Sequence, residues 1–343
     1  MVTVTVAHTR IGKESFGSPM TYARIDESDT THAAILAALR PIINAPPVGI
    51  DPRAQRVTLR SAALGVRKSF YVLLPPSYDA QDGRYPVLYL LRGHEREWVN
   101  PSEDASRVGT VVDVYRRLLR AGRIGSMILV CPGLTSDDGR VHGLATDFRA
   151  RKLAPMAPGL GTGRFETYMM REVVPLIDAL YRGMPGQRRG LDGFSLGGFM
   201  AVKLAARYPD VFATAGAYDG TFLYTSADGK RVKEDQVFRA PFLDPVFGLP
   251  RDQPYAAANN GPNLIVDSSR DRVRSVRWLI QYGREEIEPM GSNYYRGAYL
   301  RDLLTMKGIA HDIPAVIPDG AHDWATADRH IEATLPLHWD ALR

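Results

Sequence analysis

The stretch that most constrains the fold is residues 188–198, which read Arg-Arg-Gly-Leu-Asp-Gly-Phe-Ser-Leu-Gly-Gly. It predicts a buried strand that ends in a turn of small residues and leads directly into a helix. A serine at such a turn sits in strained backbone geometry, with its hydroxyl exposed at the end of a sheet. Gly193 and Gly197 flank Ser195 at the two positions where other backbone passes close, so both must be small. The five-residue pattern alone also occurs in ordinary flexible turns, and its flanks decide between the two readings.

The flanking sequence alternates between short apolar runs and longer amphipathic segments. This alternation indicates a parallel sheet that is covered by helices on both faces. The predicted fold class is therefore α/β, with an eight-stranded, mostly parallel sheet. The eight strands are predicted at residues 56–59, 69–74, 85–91, 127–131, 190–194, 213–218, 276–282 and 313–317. Helices are predicted at residues 31–39, 111–119, 165–181, 196–208, 294–307 and about 325–342.

Three segments depart from this rhythm. Residues 1–52 form an N-terminal extension or arm, which begins with an alternating, strand-like run and contains a proline-rich linker. We expect it to pack on the main domain, residues 53–343, or on a neighbouring subunit of a homo-oligomer. Two insertions, 133–164 and 220–274, are rich in Gly, Pro and Asp and follow predicted strands. Loops of this length usually carry function, so we interpret them as walls or lids of a substrate site.

Composition excludes several classes of protein. The 343 residues carry 43 Lys plus Arg against 38 Asp plus Glu, a net charge of +5, with no block of five like charges. No nucleic-acid partner is therefore indicated. The single cysteine, Cys131, excludes an internal disulfide, and its apolar neighbours predict a buried, inert thiol. No apolar run reaches the roughly 18 residues of a membrane span, and no membrane partner is expected.

The N-terminus also bears on the compartment. It has neither the basic lead nor the long apolar core of a signal peptide. The default expectation is a cytoplasmic protein, although a secreted protein whose leader had been removed would look the same.

A reactive serine needs a base within hydrogen-bond reach, which a carboxylate orients. In α/β folds of this kind the order along the chain is serine, acid, histidine. Four histidines follow Ser195, namely His311, His322, His330 and His338. His322 is the best candidate because it lies in a turn just past the last predicted strand, at the same sheet end as Ser195. His311 falls at the opposite end, and the other two lie on a predicted helix.

The acid is expected where the strand at 276–282 ends. Glu286 is the first choice and Glu285 the second, although paired glutamates are often only a solvated loop. Asp271 is a rival whose commoner role would be a turn or a surface ion pair.

Two backbone N–H groups should stabilise the oxyanion of the tetrahedral intermediate. Leu196, the residue after the serine, supplies one of them. The other is expected from the loop after strand 85–91, most simply from His94, whose ring is an alternative donor. No cofactor or metal is expected, because His322, Asp323 and His330 lack a recognised ligand spacing.

Four motifs in this order resemble the esterase D and feruloyl esterase group of α/β-hydrolases, which is similar also to enterochelin esterases and mycolyltransferases. The motifs are residues 85–93 (Tyr-Pro-Val-Leu-Tyr-Leu-Leu-Arg-Gly), 165–168 leading into 172–178, 193–198, and 320–324 (Gly-Ala-His-Asp-Trp). The resemblance covers about residues 55–340 and implies an α/β-hydrolase fold. It implies Ser195 as nucleophile, His322 as base and Glu286 as acid, with the N–H groups of His94 and Leu196 as the oxyanion hole.

The sequence departs from that family in three places. Arg92 stands where the family usually has His, Glu286 where it more often has Asp, and the N-terminal extension has no counterpart.

The expected function is hydrolysis of a carboxylic ester through an acyl-enzyme on Ser195. The substrate would be a small-molecule or polymer-linked ester. An acyltransferase of the mycolyltransferase type and a catalytically silent binding module are the alternatives. Five aromatic residues of the second insertion predict either an apolar acyl site or the inner core of a lid: Phe222, Tyr224, Phe238, Phe242 and Phe247.

Overall fold

Short apolar runs such as residues 87–91 (Val-Leu-Tyr-Leu-Leu) form buried strands of this protein, while small residues dominate two of the central strands. The computed structural model describes residues 29–80, 82–184, 186, 189–224 and 235–343. The strand-like run at residues 1–6 and part of the second insertion lie outside the described residues. Within the described ranges, eight strands form one sheet, in the order β1-β2-β3-β5-β4-β6-β7-β8. They are β1 (Ile42–Asn44), β2 (Gln55–Arg60), β3 (Arg67–Leu73), β4 (Val87–Leu91), β5 (Ile128–Pro132), β6 (Arg189–Gly193), β7 (Thr214–Tyr218) and β8 (Arg277–Gln281).

The sheet divides into an antiparallel edge and a parallel centre. β1, β2 and β3 form an antiparallel ladder that joins β5. From β5 through β4, β6 and β7 to β8, every pair is parallel. The predicted eight-stranded, mostly parallel sheet is confirmed.

Helices cover both faces of the sheet, as the alternation predicts. They are α1 (Asp29–Leu39), α2 (Val111–Arg120), α3 (Phe165–Tyr168), α4 (Val174–Leu180), α5 (Leu196–Arg207), α6 (Gln236–Arg239), α7 (Asp244–Phe247), α8 (Gln253–Ala258), α9 (Gly261–Asp267), α10 (Arg270–Arg274), α11 (Tyr294–Met306) and α12 (Trp324–Leu342). A π-helical turn, Met169–Val173, joins α3 to α4, so the helix predicted at 165–181 is nearly continuous. Alternate side chains of β4 enter two separate apolar cores, one on each face.

One predicted strand is wrong, and another strand takes its place in the sheet. Residues 313–317 form only a single bridge, in which Val316 pairs with Tyr282 beyond the end of β8. Pro314 has no N–H to donate to a ladder and Pro318 follows closely, which limits pairing here. The eighth strand is β1, at the opposite edge and within the N-terminal extension.

The described part of the extension packs on the main body of the chain. Helix α1 lies against α4, and its residues Ile35 and Leu36 pack on the adjacent apolar core. β1 pairs with β2 in the sheet. None of the helices in the described ranges is long and apolar enough to cross a membrane.

Candidate active site

Ser195 occupies the turn between β6 and α5, with φ at +57°. A non-glycine residue with positive φ stores strain, which only a well-fixed surrounding can maintain. The flanking glycines explain how the turn closes. A Cβ on Gly193 would lie 2.3 Å from the carbonyl group of Gly197, and one on Gly197 would lie 1.8 Å from the carbonyl oxygen of Leu91. The predicted need for small residues on both sides of the serine is confirmed.

Hydrogen bonds to neighbouring backbone fix the strained turn. The N–H of Ser195 donates to the carbonyl of Tyr218 (3.0 Å), and its own carbonyl accepts from the N–H of Thr221 (3.2 Å). Both partners belong to β7 and the segment just after it. The Ser195 hydroxyl makes no hydrogen bond to any described residue, so it is unengaged at the end of the sheet.

His322 lies in the turn that precedes α12 and contacts the residue before this serine. Its ring contacts the ring of Phe194, the residue directly before Ser195, with centroids 4.7 Å apart. Its backbone N–H donates to the carbonyl of Gly291 at 2.7 Å. Its Nδ1 hydrogen-bonds Oδ2 of Asp219 at 2.5 Å, which leaves Nε2 as the ring nitrogen available to a substrate or to Ser195.

Asp219 is a fully buried carboxylate held from both sides. It follows the last residue of β7, with φ at +48°. Oδ1 accepts the backbone N–H groups of Gly283 (3.0 Å) and Asn293 (2.9 Å), while Oδ2 accepts the proton of His322 Nδ1. Three donors on one carboxylate fix its position and thereby the ring orientation of His322.

None of the three carboxylates predicted from the sequence contacts His322. The candidate acid is therefore corrected to Asp219, which does. Glu285 and Glu286 lie exposed in a single turn after β8, where Glu285 accepts the hydroxyl proton of Tyr295 at 2.7 Å. Asp271 is exposed on α10, which precedes β8 and so lies at the opposite end of the sheet. Sheet order gives the physical reason. β7 lies between β6 and β8, so its carboxyl end is adjacent to the serine turn.

The two predicted oxyanion donors differ in availability. Leu196 is the first residue of α5, so its N–H has no partner within the helix. The N–H of His94, by contrast, donates to Oε1 of Glu97 at 2.6 Å. Burial raises the pKa of the Glu97 carboxyl, although the positive charge of Arg92 and the His94 N–H oppose this shift. His94 also uses its ring, since Nε2 donates to the carbonyl of Asp137 at 3.0 Å.

Arg92 stands at the end of β4 beside the serine turn. Its guanidinium carbon lies 5.2 Å from the centre of the Phe194 ring. Its Nε lies 3.3 Å from Oε2 of Glu97. Arg92 and Glu97 thus form an ion pair next to the residue that precedes the candidate nucleophile.

A small apolar cleft opens beside the first turn of α5. Thr221 contributes its one hydroxyl side chain, and all the other lining residues are apolar. The lining residues are Leu144, Leu196, Phe199, Thr221, Leu223, Val237, Phe242, Leu243 and Phe247. Of the five aromatic residues noted in the second insertion, Phe242 and Phe247 line this cleft, while Phe222 and Phe238 are buried in the core. Phe247 is itself buried in the core, so both interpretations of these aromatic residues apply to it.

A buried polar network lies directly behind the serine turn. Asp192, in β6, accepts hydrogen bonds from His330 Nε2 (3.0 Å), Thr334 (2.8 Å) and His338 Nε2 (3.0 Å), all on α12. These groups are fully buried. The network connects the helix that follows His322 to the strand that carries the serine turn. In the part of the chain that the structure describes, no group of three His, Cys, Asp or Glu residues is arranged to hold a metal ion.

Comparison with known proteins shows which family and which folds this chain resembles. Residues 61–326 match the family model "Putative esterase". "Esterase Rv1288" of Mycobacterium tuberculosis is 30% identical over 228 residues, which are 65% of this chain and 45% of that protein. "Uncharacterized protein YbbA" of Bacillus subtilis is 21% identical over 171 residues, 47% of this chain and 59% of that protein. The chain spans about half the length of the curated relatives it matches.

Solved structures share the fold. A ferulic acid esterase aligns with a TM-score of 0.58 at 22% identity, over 83% of this chain and 97% of that one. An S-formylglutathione hydrolase from Agrobacterium tumefaciens aligns with a TM-score of 0.56 at 19% identity, over 88% and 99%. The enterobactin esterase of Shigella flexneri aligns with a TM-score of 0.54 at 15% identity, over 87% and 62%. The likeness to α/β-hydrolase esterases that the four sequence motifs predicted is confirmed.

Proposed function

The chain belongs to this esterase family, and we propose that it hydrolyses carboxylic esters through an acyl-enzyme on Ser195. The observation that carries the proposal is the hydrogen bond between Asp219 and His322 beside the strained, unengaged serine. A histidine that is oriented by a buried carboxylate is the base that a serine nucleophile requires.

The mechanism assigns a role to each of these groups. The hydroxyl oxygen of Ser195 attacks the ester carbonyl carbon while Nε2 of His322 takes the hydroxyl proton. Asp219 holds the Nδ1 proton and stabilises the imidazolium that forms. The N–H of Leu196 donates to the carbonyl oxygen as it becomes negatively charged. His322 then protonates the leaving alcohol, and an activated water molecule resolves the acyl-enzyme by the reverse steps.

The apolar cleft supports a substrate whose acyl group is hydrophobic and binds in this cleft. Leu196, next to the nucleophile, lines the cleft, and the hydroxyl of Thr221 is the polar group among the lining side chains. A cleft with these walls favours an aliphatic or unsubstituted aromatic chain over a charged one.

The test is hydrolysis of p-nitrophenyl acetate and butyrate by the wild type and Ser195→Ala. We expect Ser195→Ala to lose activity to the background rate while its circular dichroism spectrum is unchanged. Ser275→Ala, which changes an exposed serine, is the matched control and should retain full activity. Activity of Ser195→Ala equal to the wild type would refute the proposal. Product analysis with an added alcohol separates hydrolysis from acyl transfer. Transfer to the alcohol in excess of hydrolysis would favour an acyltransferase.

A further inference from the structure

The oxyanion of a tetrahedral intermediate is normally stabilised by two hydrogen-bond donors. The structure offers the N–H of Leu196 as one donor. The second donor expected from the sequence, the N–H of His94, is engaged by Glu97 at 2.6 Å. Glu97 is itself largely withdrawn from solvent, with a side chain that is 13% exposed. The site as it stands therefore has one free backbone donor where esterase chemistry needs two.

Arg92 has the free donors that the site otherwise lacks. Its side chain is only 19% exposed, and its buried Nε forms an ion pair with Glu97 but no hydrogen bond. No hydrogen bond joins its guanidinium to any other described residue. The ion pair with Glu97 is at 3.3 Å, and the remaining contact is with the face of the Phe194 ring. Nε therefore faces Glu97, whereas the terminal N–H groups of the guanidinium remain available to an acceptor from outside the chain.

The position of Arg92 agrees with a role at the reacting carbonyl. Phe194, on whose ring the guanidinium lies, directly precedes Ser195 and also contacts the ring of His322. The backbone N of Arg92 lies 3.0 Å from the position that a Cβ on Gly197 would occupy, so its main chain abuts the first turn of α5. Arg92 is thus anchored at the same end of the sheet as the nucleophile and the base.

The surroundings of His142 give further support. Burial, together with the positive charge of Arg92, lowers the pKa of His142. The ring of His142 packs edge-on against Phe242, at 6.1 Å between centroids, and Phe242 lines the apolar cleft. The positive charge of Arg92 therefore acts on the side of the site where the acyl group is proposed to bind.

We propose that the guanidinium of Arg92 donates the second hydrogen bond to the oxyanion, in place of the backbone N–H of His94. This inference rests on the proposed ester hydrolysis. The Arg92 guanidinium has N–H donors and no acceptor, so it can only donate to the oxyanion. It donates an N–H to the carbonyl oxygen as the bond from Ser195 forms, and the contact weakens when the carbonyl re-forms. Glu97 holds the loop and orients the guanidinium through the ion pair.

The experiment compares Arg92→Met and Arg92→Lys with the wild type on p-nitrophenyl acetate. We expect Arg92→Met to lower kcat by about 100-fold or more, as for the loss of one oxyanion donor. KM should stay within about threefold, because the interaction strengthens only in the transition state. Arg92→Lys should retain part of the activity, and added methylguanidine should restore part of it to Arg92→Met. Arg96→Met, an exposed arginine of the same loop, is the matched control and should behave as the wild type.

A second variant and an inhibitor keep the test independent of folding. Glu97→Ala frees the N–H of His94, so adding it to Arg92→Met should recover part of the lost kcat. A trifluoromethyl ketone, which forms an oxyanion on Ser195, should bind Arg92→Met more weakly by the same factor by which kcat falls. A kcat of Arg92→Met within about threefold of the wild type would overturn the inference while the ester hydrolysis stands. If the wild type shows no hydrolysis that depends on Ser195, both this inference and the proposed ester hydrolysis are overturned.

Discussion

Asp219 and His322 are 103 positions apart in the chain, yet Oδ2 of the first lies 2.5 Å from Nδ1 of the second. Asp219 directly follows β7, and His322 precedes α12. The serine turn after β6 lies beside them, because β6 and β7 are neighbours in the sheet. The candidate triad is therefore assembled from three segments that share one end of the sheet.

Asp219→Asn should leave the fold intact and remove the charge that orients His322. An amide at this position favours the wrong tautomer of the imidazole, so we expect kcat to fall by about 10³ to 10⁴-fold. Steady-state kinetics on p-nitrophenyl acetate measures the loss. Glu286→Gln is the matched control, since this carboxylate is exposed and does not contact His322. A large loss with Glu286→Gln and none with Asp219→Asn would show that the acid is the one first expected from the sequence.

Gly197→Ala should damage the serine turn itself. Its Cβ would lie 1.8 Å from the carbonyl oxygen of Leu91, in backbone that cannot move without displacing β4. We expect a loss of about 3 kcal/mol or more in the free energy of unfolding, together with most of the activity. Urea denaturation, monitored by tryptophan fluorescence, measures the loss in the free energy of unfolding.

Gly83→Ala is the control for that experiment, because no atom lies within 4 Å of the position its Cβ would take. Equal stability of the two variants would mean that the close approach of Gly197 to Leu91 does not exist in solution.

Val237→Trp should narrow the apolar cleft without touching the candidate triad. Val237 lines the cleft and is half-buried, so the larger ring can fill the cleft or its mouth. We expect kcat/KM for p-nitrophenyl hexanoate to fall by about 10-fold or more relative to p-nitrophenyl acetate. Val237→Ala should shift this ratio in the opposite direction. An unchanged ratio in both variants would place the acyl group elsewhere.

Asp192→Asn should destabilise the fold, with an effect that depends on pH. Burial alone would raise the pKa of Asp192, but His330, His338 and their hydrogen bonds outweigh it and hold the pKa well below its usual range. A carboxylate with a lowered pKa contributes stability above its unfolded-state pKa of about 3.9 and loses that contribution as the pH falls further. An asparagine here would also replace one of the two carboxylate oxygens that accept from the buried His330 and His338.

We therefore expect Asp192→Asn to lose about 3 kcal/mol of unfolding free energy at pH 7, and progressively less below pH 4. Guanidinium denaturation at several pH values gives this difference. Asp340→Asn, on the exposed face of the same helix, should change stability little at any pH. A pH-independent loss for Asp192→Asn would argue that Asp192 carries no charge in the folded protein.

The sequence predicted most of the framework, because periodicity and turn chemistry act locally. Seven of the eight predicted strands and the serine turn follow from apolar runs and from glycines at fixed offsets. The choice of Asp219 depends on which strand ends lie side by side, and sheet order is not written in local periodicity. A signal was present, since Asp219 follows the first strand after the helix that begins at Leu196. The engagement of His94 by Glu97 depends on the path of one loop, which the sequence pattern does not specify.

The most direct test of the central claim is labelling with a fluorophosphonate, followed by peptide mapping by mass spectrometry. Only a serine activated by a neighbouring base reacts rapidly with this reagent. We predict one adduct, on Ser195, that forms at least about 100-fold more slowly in His322→Ala and does not form in Ser195→Ala. An adduct on another residue, or labelling of Ser195→Ala at the wild-type rate, would contradict the assignment of Ser195 as the nucleophile.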